Sequence, residues 1–464
     1  MQFKKKILCI GAGYVGGITM AVIADKCPEY KITLVDIDHE KIDKWNSDEL
    51  PIYEPGLDEI VKRRRGKNLF FKKDMQEAIK EADIIFVSVN TPTKSFGLGA
   101  GMAADLQFWE KTAREIREYA DSDKIIVEKS TLPVRTASAM ERILSANDKK
   151  VHFEVISNPE FLAEGSAIKD LEEPDRILIG YKDTPSGRKA RDEIIEIYAH
   201  WVPKEKIITS NIWSSELSKL VANAFLAQRV SSINSITPLC EKTEADISEV
   251  AKAVGMDSRI GNKFLNPSVG FGGSCFKKDI LNLVYICRYY GLTEVADYWE
   301  GVVRINEYQR ERFVKNMIDA MFHTLANKKI CLFGFAFKAN TSDTRESSAI
   351  YVAKKLIEER AKLVITDPKA LNNAKKDLKG IDQNVDYIED PYEATVGCDA
   401  IAVITEWDIY KRLDYERIYK NMNKPAFIFD GRNILDHKRL FDIGFNVYPI
   451  GKPALVHFNK EVRL

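Results

Sequence analysis

The ten residues Gly270-Phe271-Gly272-Gly273-Ser274-Cys275-Phe276-Lys277-Lys278-Asp279 set one thiol where small residues give way to a helix-period pattern. Apolar residues recur at Phe276, Ile280, Leu283, Val284 and Cys287, which predicts a helix capped by Ser274 with Cys275 at its first position. Unpaired N–H groups at a helix start carry partial positive charge and favour thiolate over thiol, so Cys275 is a candidate nucleophile. Asp279, four residues on, shares its face and can hold a lysine, a water or a proton near the sulfur. An isolated cysteine is more often a buried structural one. The glycines beside this one let a ligand approach the backbone and favour chemistry. Lys219 and Asn223 also stand four residues apart in a helical stretch, presenting an amine and an amide on one face, and Ala222, Ala224 and Phe225 point to partial burial.

A second constellation lies near the N-terminus. A strand-like run, Lys6 to Ile10, leads into Gly11-Ala12-Gly13-Tyr14-Val15-Gly16 and a helical pattern through Ala24, and a second strand, Lys31 to Val35, ends in Asp36. The glycines bring backbone and a helix N-terminus up to a pyrophosphate, and Asp36 accepts from ribose hydroxyls. An acid there repels a 2'-phosphate, so NAD is expected rather than NADP. Together with an activated cysteine, such a site can oxidise beyond the alcohol stage. An alcohol carbon loses a hydride to give an aldehyde, and the thiolate adds to form a thiohemiacetal. Loss of a second hydride gives a thioester that water cleaves to a carboxylate. Lys219 would stabilise oxyanions or move protons, Asn223 would hold the reacting oxygen or a water, Asp279 would tune both, and Glu160 would serve as a further proton acceptor.

These residues must be positioned by an α/β framework. Further strands are expected at Asp83–Val89, Lys124–Glu128, Phe153–Ser157 and Arg176–Tyr181, with helical stretches between several of them, which predicts a parallel doubly wound sheet. Three strand ends run into polar, turn-forming segments, Ser88 to Thr93, Lys129 to Pro133 and Ser157 to Gly165, where ligands of such sheets sit. From about Trp213 helical periodicity takes over. A second alternation begins at Lys329–Phe337 and continues at Ala361–Thr366, Asp399–Thr405, Ala426–Phe429 and Phe445–Pro449, without a full glycine fingerprint. The expected organisation is two Rossmann-like doubly wound domains, 1–212 and 328–464, joined by a central helical domain, 213–327. The residues after Gly451 read as a frayed tail.

Composition limits the partners. Lys plus Arg equals Asp plus Glu at 69 each, so no long-range field favours nucleic acid or an anionic membrane. The run Lys62-Arg63-Arg64-Arg65 reads as the solvated end of a helix. No apolar stretch approaches membrane-spanning length and no cleavable leader opens the chain, so a cytoplasmic location is expected. The seven cysteines are scattered and never spaced C-x-x-C, which predicts reduced thiols and no metal site.

With Asn90-Thr91-Pro92-Thr93, Glu128-Lys129-Ser130-Thr131, Asn158-Pro159-Glu160-Phe161-Leu162-Ala163-Glu164-Gly165, Lys219-Leu220-Val221-Ala222-Asn223 and Phe335-Ala336-Phe337-Lys338 added to the two glycine motifs, the chain resembles the UDP-glucose/GDP-mannose dehydrogenase family over nearly all its length. The resemblance implies NAD-dependent oxidation of C6 of UDP-glucose to UDP-glucuronate, with two NAD consumed. Cys275 would be the nucleophile, with Lys219, Asn223, Asp279, Glu160 and Thr131 around it. It places NAD against Gly11, Ala12, Gly13, Tyr14, Val15, Gly16, Asp36, Lys41, Val89, Asn90, Thr91, Pro92, Thr93, Ser130, Thr131, Leu132, Glu164, Cys275 and Arg345. The sugar nucleotide would meet Glu160, Phe161, Leu162, Ala163, Glu164, Lys219, Asn223, Arg259, Asn266, Pro267, Ser268, Val269, Gly270, Phe271, Gly272, Phe337, Lys338 and Arg432. By the same resemblance Arg259 reaches across a subunit interface, so a dimer is the minimum unit, and a hexamer is implied by similarity to animal-type members. Lys41 stands where those members carry arginine, and Asn266-Pro267 replaces a lysine-containing version of the substrate loop. UDP-N-acetylmannosamine and GDP-mannose enzymes share the catalytic groups and remain alternatives. So does a two-electron 3-hydroxyacid-type dehydrogenase, which pairs a dinucleotide fold with a Lys-x-x-x-Asn helix and needs no thiol.

Overall fold

A computed structural model describes residues 3–458. Two sheets carry the chain. The first holds β1 (Lys5–Ile10), β2 (Tyr30–Val35), β3 (Leu69–Lys72), β4 (Ile84–Val87), β5 (Lys124–Glu128), β6 (Phe153–Ser157), β7 (Ile177–Tyr181) and β8 (Ile207–Asn211) in the order β3-β2-β1-β4-β5-β6-β7-β8. The second holds β9 (Lys329–Phe333), β10 (Lys362–Thr366), β11 (Val385–Tyr387), β12 (Ala400–Val403), β13 (Phe427–Asp430) and β14 (Asn446–Pro449) in the order β11-β10-β9-β12-β13-β14. Both contain the 3-2-1-4-5-6 order of the Rossmann fold, and the long helices Ile212–Thr243, Phe276–Tyr289 and Thr293–Ala320 fill the sequence between them. By packing, the chain groups into two compact units: the residues up to Ala222 with Leu281–Gly291, and Asn223–Ile280 with the residues from Leu292 on.

The strands read as unbroken apolar runs because both faces are covered. In β1, Ile7 and Cys9 enter one buried cluster and Leu8 and Ile10 another, on the opposite face. Ile10 pairs with Val35 and Val87 at the carboxyl ends of the central strands, so the loops that follow open on one edge.

Four expectations need correction. The first sheet is not wholly parallel: β6 meets β7 antiparallel at Ser157↔Gly180, and β8 runs parallel to β7. β3, β8 and β11 were absent from the sequence reading because runs as short as Leu-Phe-Phe-Lys or Val-Asp-Tyr show no resolvable period. The basic run does end the helix Leu57–Arg64 with Lys62 and Arg63 exposed, but it is also paired: Arg63 and Arg64 both bond the carboxylate of Asp25 at 2.8 Å, and Arg65 donates to the Trp45 carbonyl at 3.1 Å. The segment after Gly451 is also held, since Leu455 pairs with Val447 and His457 stacks on Phe441 at 4.1 Å. Residues 459–464 lie outside the described residues. Among the described residues no helix is long and apolar enough to cross a membrane.

Candidate active site

In the first unit, the turn after β1 is built for close approach of a ligand's backbone-facing phosphates. Gly11 has φ +107°, and a Cβ there would lie 2.3 Å from the Ser88 carbonyl oxygen; one at Gly16 would lie 2.1 Å from the Gly11 oxygen. A Cβ at Gly13, by contrast, would meet nothing within 4 Å, so the space in front of the helix Tyr14–Lys26 is open, and no side chain caps that helix. Trp45, overlooked in the sequence, braces the turn by donating Nε1–H to the Ala12 carbonyl at 2.9 Å. Asp36 is fixed at the end of β2 by the Ala12 N–H (2.8 Å) and the Asp38 N–H (3.0 Å), with Lys41 Nζ 3.0 Å away. The open phosphate-side turn and the anchored acid fit NAD. On the same edge, Thr91 Oγ1 donates to the Thr131 carbonyl (3.0 Å) and Ser130 Oγ to the Val89 carbonyl (2.8 Å), which ties the two expected cofactor loops together.

The loop after β6 is organised by groups whose roles the sequence did not disclose. Glu160 pairs with buried Lys129 at 2.8 Å and accepts from the N–H groups of Phe161 (2.8 Å) and Leu162 (3.1 Å). Burial alone would raise the Glu160 pKa, but Lys129 and the backbone donor of Phe161 more than offset it and hold the carboxyl below its ordinary range. Lys129 in turn reaches Asn158 Oδ1 at 3.1 Å and Tyr198 Oη at 3.2 Å. Further along, Glu54 accepts from Tyr14, from Gly165 N (2.8 Å) and from Ala167 N (2.7 Å), so the dinucleotide turn and the Glu160–Gly165 loop share one buried carboxylate. Lys219, on the helix Ile212–Thr243, is 7 % exposed and lies 5.4 Å from the Phe161 ring centre.

In the second unit, Cys275 directly precedes the helix Phe276–Tyr289, so it occupies the cap position rather than the first helical one, and its carbonyl accepts the Asp279 N–H at 2.8 Å. Ser274 is not the cap; its hydroxyl lies 3.5 Å from the Cys275 sulfur. Of the seven free cysteines Cys275 is the exposed one. Asn223 and Asp279 are both buried, and Asn223 Nδ2 donates to Asp279 Oδ2 at 2.6 Å. The glycine loop is clamped by the helix Thr293–Ala320. Asn306 exchanges two bonds with the Phe271 backbone (2.8 and 3.1 Å), and Arg310 donates to the Phe271 carbonyl at 2.6 Å. Gly270, at φ +128°, packs where a Cβ would lie 2.8 Å from Asn306 Oδ1.

Eight of the expected substrate residues, Asn266, Pro267, Ser268, Phe271, Gly272, Phe337, Lys338 and Arg432, line one cavity of about 700 Å³ in this unit, joined by Lys252, Glu406 and Lys411. Val269 and Gly270 are buried beside them. Arg432 is ion-paired with Glu406, and burial pushes its pKa down to about 10. Arg259 is elsewhere: its side chain is 87 % exposed and paired with Asp257. Arg345 is held by Asp343, and its carbonyl accepts from Gly273 N at 2.9 Å. Among the described residues no group of three or more His, Cys, Asp or Glu is placed to hold a metal ion.

Comparison with known proteins gives the family of the whole chain. Residues 5–202 match the NAD binding domain of the UDP-glucose/GDP-mannose dehydrogenase family, 213–308 its central domain and 331–437 its UDP binding domain. The chain is 57 % identical to UDP-glucose 6-dehydrogenase 5 of Oryza sativa subsp. japonica and 58 % identical to UDP-glucose 6-dehydrogenase 4 of Arabidopsis thaliana, over 97 % of each chain. It superposes on a UDP-glucose dehydrogenase from the hyperthermophilic archaeon Pyrobaculum islandicum with a TM-score of 0.85 and 30 % identity, covering 98 % of this chain and 99 % of that one. With all three family domains matched and this identity over nearly the whole length, the chain belongs to the UDP-glucose/GDP-mannose dehydrogenase family.

Proposed function

We propose that this protein oxidises C6 of UDP-glucose to a carboxylate, giving UDP-glucuronate in a four-electron reaction at Cys275. The observation that carries the reading is the single exposed thiol at a helix start, one turn from the buried Asn223–Asp279 hydrogen bond. The high identity to curated UDP-glucose 6-dehydrogenases supports the substrate. NAD, when bound, accepts the hydride lost from C6 in each oxidation. The chain's own groups do the remainder. A base removes the C6 hydroxyl proton, and the Cys275 sulfur adds to the aldehyde carbon as its proton passes to the carbonyl oxygen, giving a thiohemiacetal. After the second oxidation, water adds to the thioester carbon, the C–S bond breaks, and the sulfur recovers a proton.

Lys219 stabilises the oxyanions of these steps, and Asn223, oriented by Asp279, holds the reacting oxygen or the hydrolytic water. Glu160 keeps its charge through Lys129, so it acts as a hydrogen-bond acceptor of low basicity, and proton transfer falls to Lys219 and the Asp279-held water. Thr131, Ser130 and the Val89–Thr93 loop hold the cofactor with the turn Gly11–Gly16 and Asp36, and the cavity of the second unit takes the UDP moiety. The division into 1–212, 213–327 and 328–464, a cytoplasmic location, and a dimer or hexamer with Arg259 crossing the interface complete the reading.

The test is the NADH yield on limiting UDP-glucose, UDP-N-acetylmannosamine and GDP-mannose. Two NADH per UDP-glucose and little turnover of the others is the expected result. Cys275→Ser should lose at least about a thousandfold in kcat. One NADH per substrate with undiminished activity of Cys275→Ser would support the two-electron alternative instead.

A further inference from the structure

The second sheet repeats the acid that reads ribose in the first, but in a form that cannot serve. β10 is followed by Asp367 just as β2 is followed by Asp36. Asp367 is 1 % exposed and already accepts five hydrogen bonds. Oδ2 takes the N–H groups of Phe335 (2.7 Å) and Ala336 (3.0 Å) and the Trp407 indole (3.1 Å), and Oδ1 takes those of Lys369 and Ala370 (2.8 Å each). No lone pair remains for a ligand.

The carboxylate that does face the cavity is Glu406, three residues past the end of β12, with 35 % of its side chain exposed. One oxygen pairs with Arg432 and the other lies 3.4 Å from Ala339 N. A negative group among Lys338, Lys411 and Arg432 weakens a site for a diphosphate unless it bonds the ligand itself. The donors of a nucleotide sugar are hydroxyls and an imide N–H. The imide is flanked by two carbonyl oxygens that a carboxylate repels, whereas the two oxygens of a carboxylate match two adjacent hydroxyls.

We propose that Glu406 is a specificity-determining residue that accepts hydrogen bonds from the vicinal ribose hydroxyls of the UDP moiety, so that the site selects ribonucleotides over 2'-deoxyribonucleotides. The proposal rests on the reading of this cavity as the UDP-sugar site. Arg432 holds the carboxylate in place and balances its charge.

Titration of the full-length protein with UDP and with 2'-deoxy-UDP tests this without the hexose hydroxyls. The wild-type protein should bind UDP at least about tenfold more tightly than 2'-deoxy-UDP. Glu406→Gln and Glu406→Ala should each bring the ratio to within about threefold, with folding verified by circular dichroism. A Glu406 that merely supports the loop would weaken both ligands alike; an unchanged ratio in the two variants overturns the proposal while leaving the site in place. If the wild-type protein binds neither ligand, the reading of the cavity fails and the proposal fails with it.

Discussion

The two sheets share a strand order and part of a ligand-site plan, and they differ in what fills it. Each places a glycine with positive φ after its first strand, Gly11 at +107° and Gly334 at +94°, where a Cβ would lie 2.3 Å from its neighbours. Each places an aspartate after its second strand. In the first sheet the aspartate accepts two backbone N–H bonds and a lysine, in front of an open turn. In the second, Trp407 and four backbone N–H groups occupy the acid completely. The same residue at the same topological position is a proposed ligand group in one case and an internal brace in the other. The availability of its lone pairs decides which, and motif matching does not detect that.

Replacing the acid at both positions separates these roles, and the brace should show the larger effect. Asp367→Ala strands five donors at once, four of them on buried residues, and at about 1 kcal/mol or more for each buried one the loss is at least about 4 kcal/mol, a large share of a domain's stability. Thermal unfolding and limited proteolysis should show a second unit that unfolds early or accumulates poorly. A variant with wild-type stability would mean that the saturated network contributes little.

Asp36→Asn should leave the melting temperature within a few degrees, because the amide oxygen still accepts a backbone N–H. Its effect should fall on the cofactor. We expect KM for NAD to rise on the order of tenfold, with a relative gain for NADP of similar size as the repulsion of a 2'-phosphate is removed. Unchanged NAD and NADP kinetics would indicate that Asp36, like Asp367, serves the fold alone.

What the sequence disclosed was whatever is local. Gly-x-Gly-x-x-Gly, the acid after the second strand, and Lys219 with Asn223 one turn apart are all properties of short windows, and their burial follows from flanking apolar residues. The hidden features depend on distant partners. Whether β7 runs with or against β6 is set by how the loop 158–176 crosses the edge, and no window encodes it. The pairing of Arg63 and Arg64 was hidden because Asp25 stands nearly forty residues away. Glu406 carries no motif; its position shows only once β12 and β13 lie side by side and bring it to Arg432. Cys275 was misplaced by one residue because glycines and serine blur the point at which helical dihedrals begin.

A further strand-end acid gives the most specific signature. β5 ends in Glu128 and β13 in Asp430, at equivalent places in the two sheets. Asp430 is satisfied by the N–H groups of Arg432 and Leu435 and by His437, at 2.9–3.0 Å. Glu128 is 2 % exposed, and neither of its oxygens has a hydrogen-bond donor within reach. Its neighbour is Glu216, whose two oxygens accept the N–H groups of Arg135 (2.7 Å) and Ala137 (2.8 Å), and Glu141 adds a nearby negative charge. Burial, reinforced by the mutual repulsion of the acids, raises the Glu128 pKa well above the carboxyl range. Burial likewise pushes Glu216 up to about 7, against the opposing pull of its backbone donors. A proton on one member supplies the missing donor between them. Because both folded pKa values lie above the unfolded ones, the folded protein binds more protons, and stability falls as pH rises. The part due to Glu216 is fully present below about pH 4.5 and is lost as pH rises through about 7, on the order of 3 kcal/mol. Hydrogen exchange from pH 5 to 8, corrected for the intrinsic rate, should therefore show protection falling in β4, β5 and β6 while β12 and β13 hold. Glu128→Gln places a permanent N–H donor beside Glu216 and should flatten that slope. An equal slope in wild type and variant would assign the pH dependence to other groups.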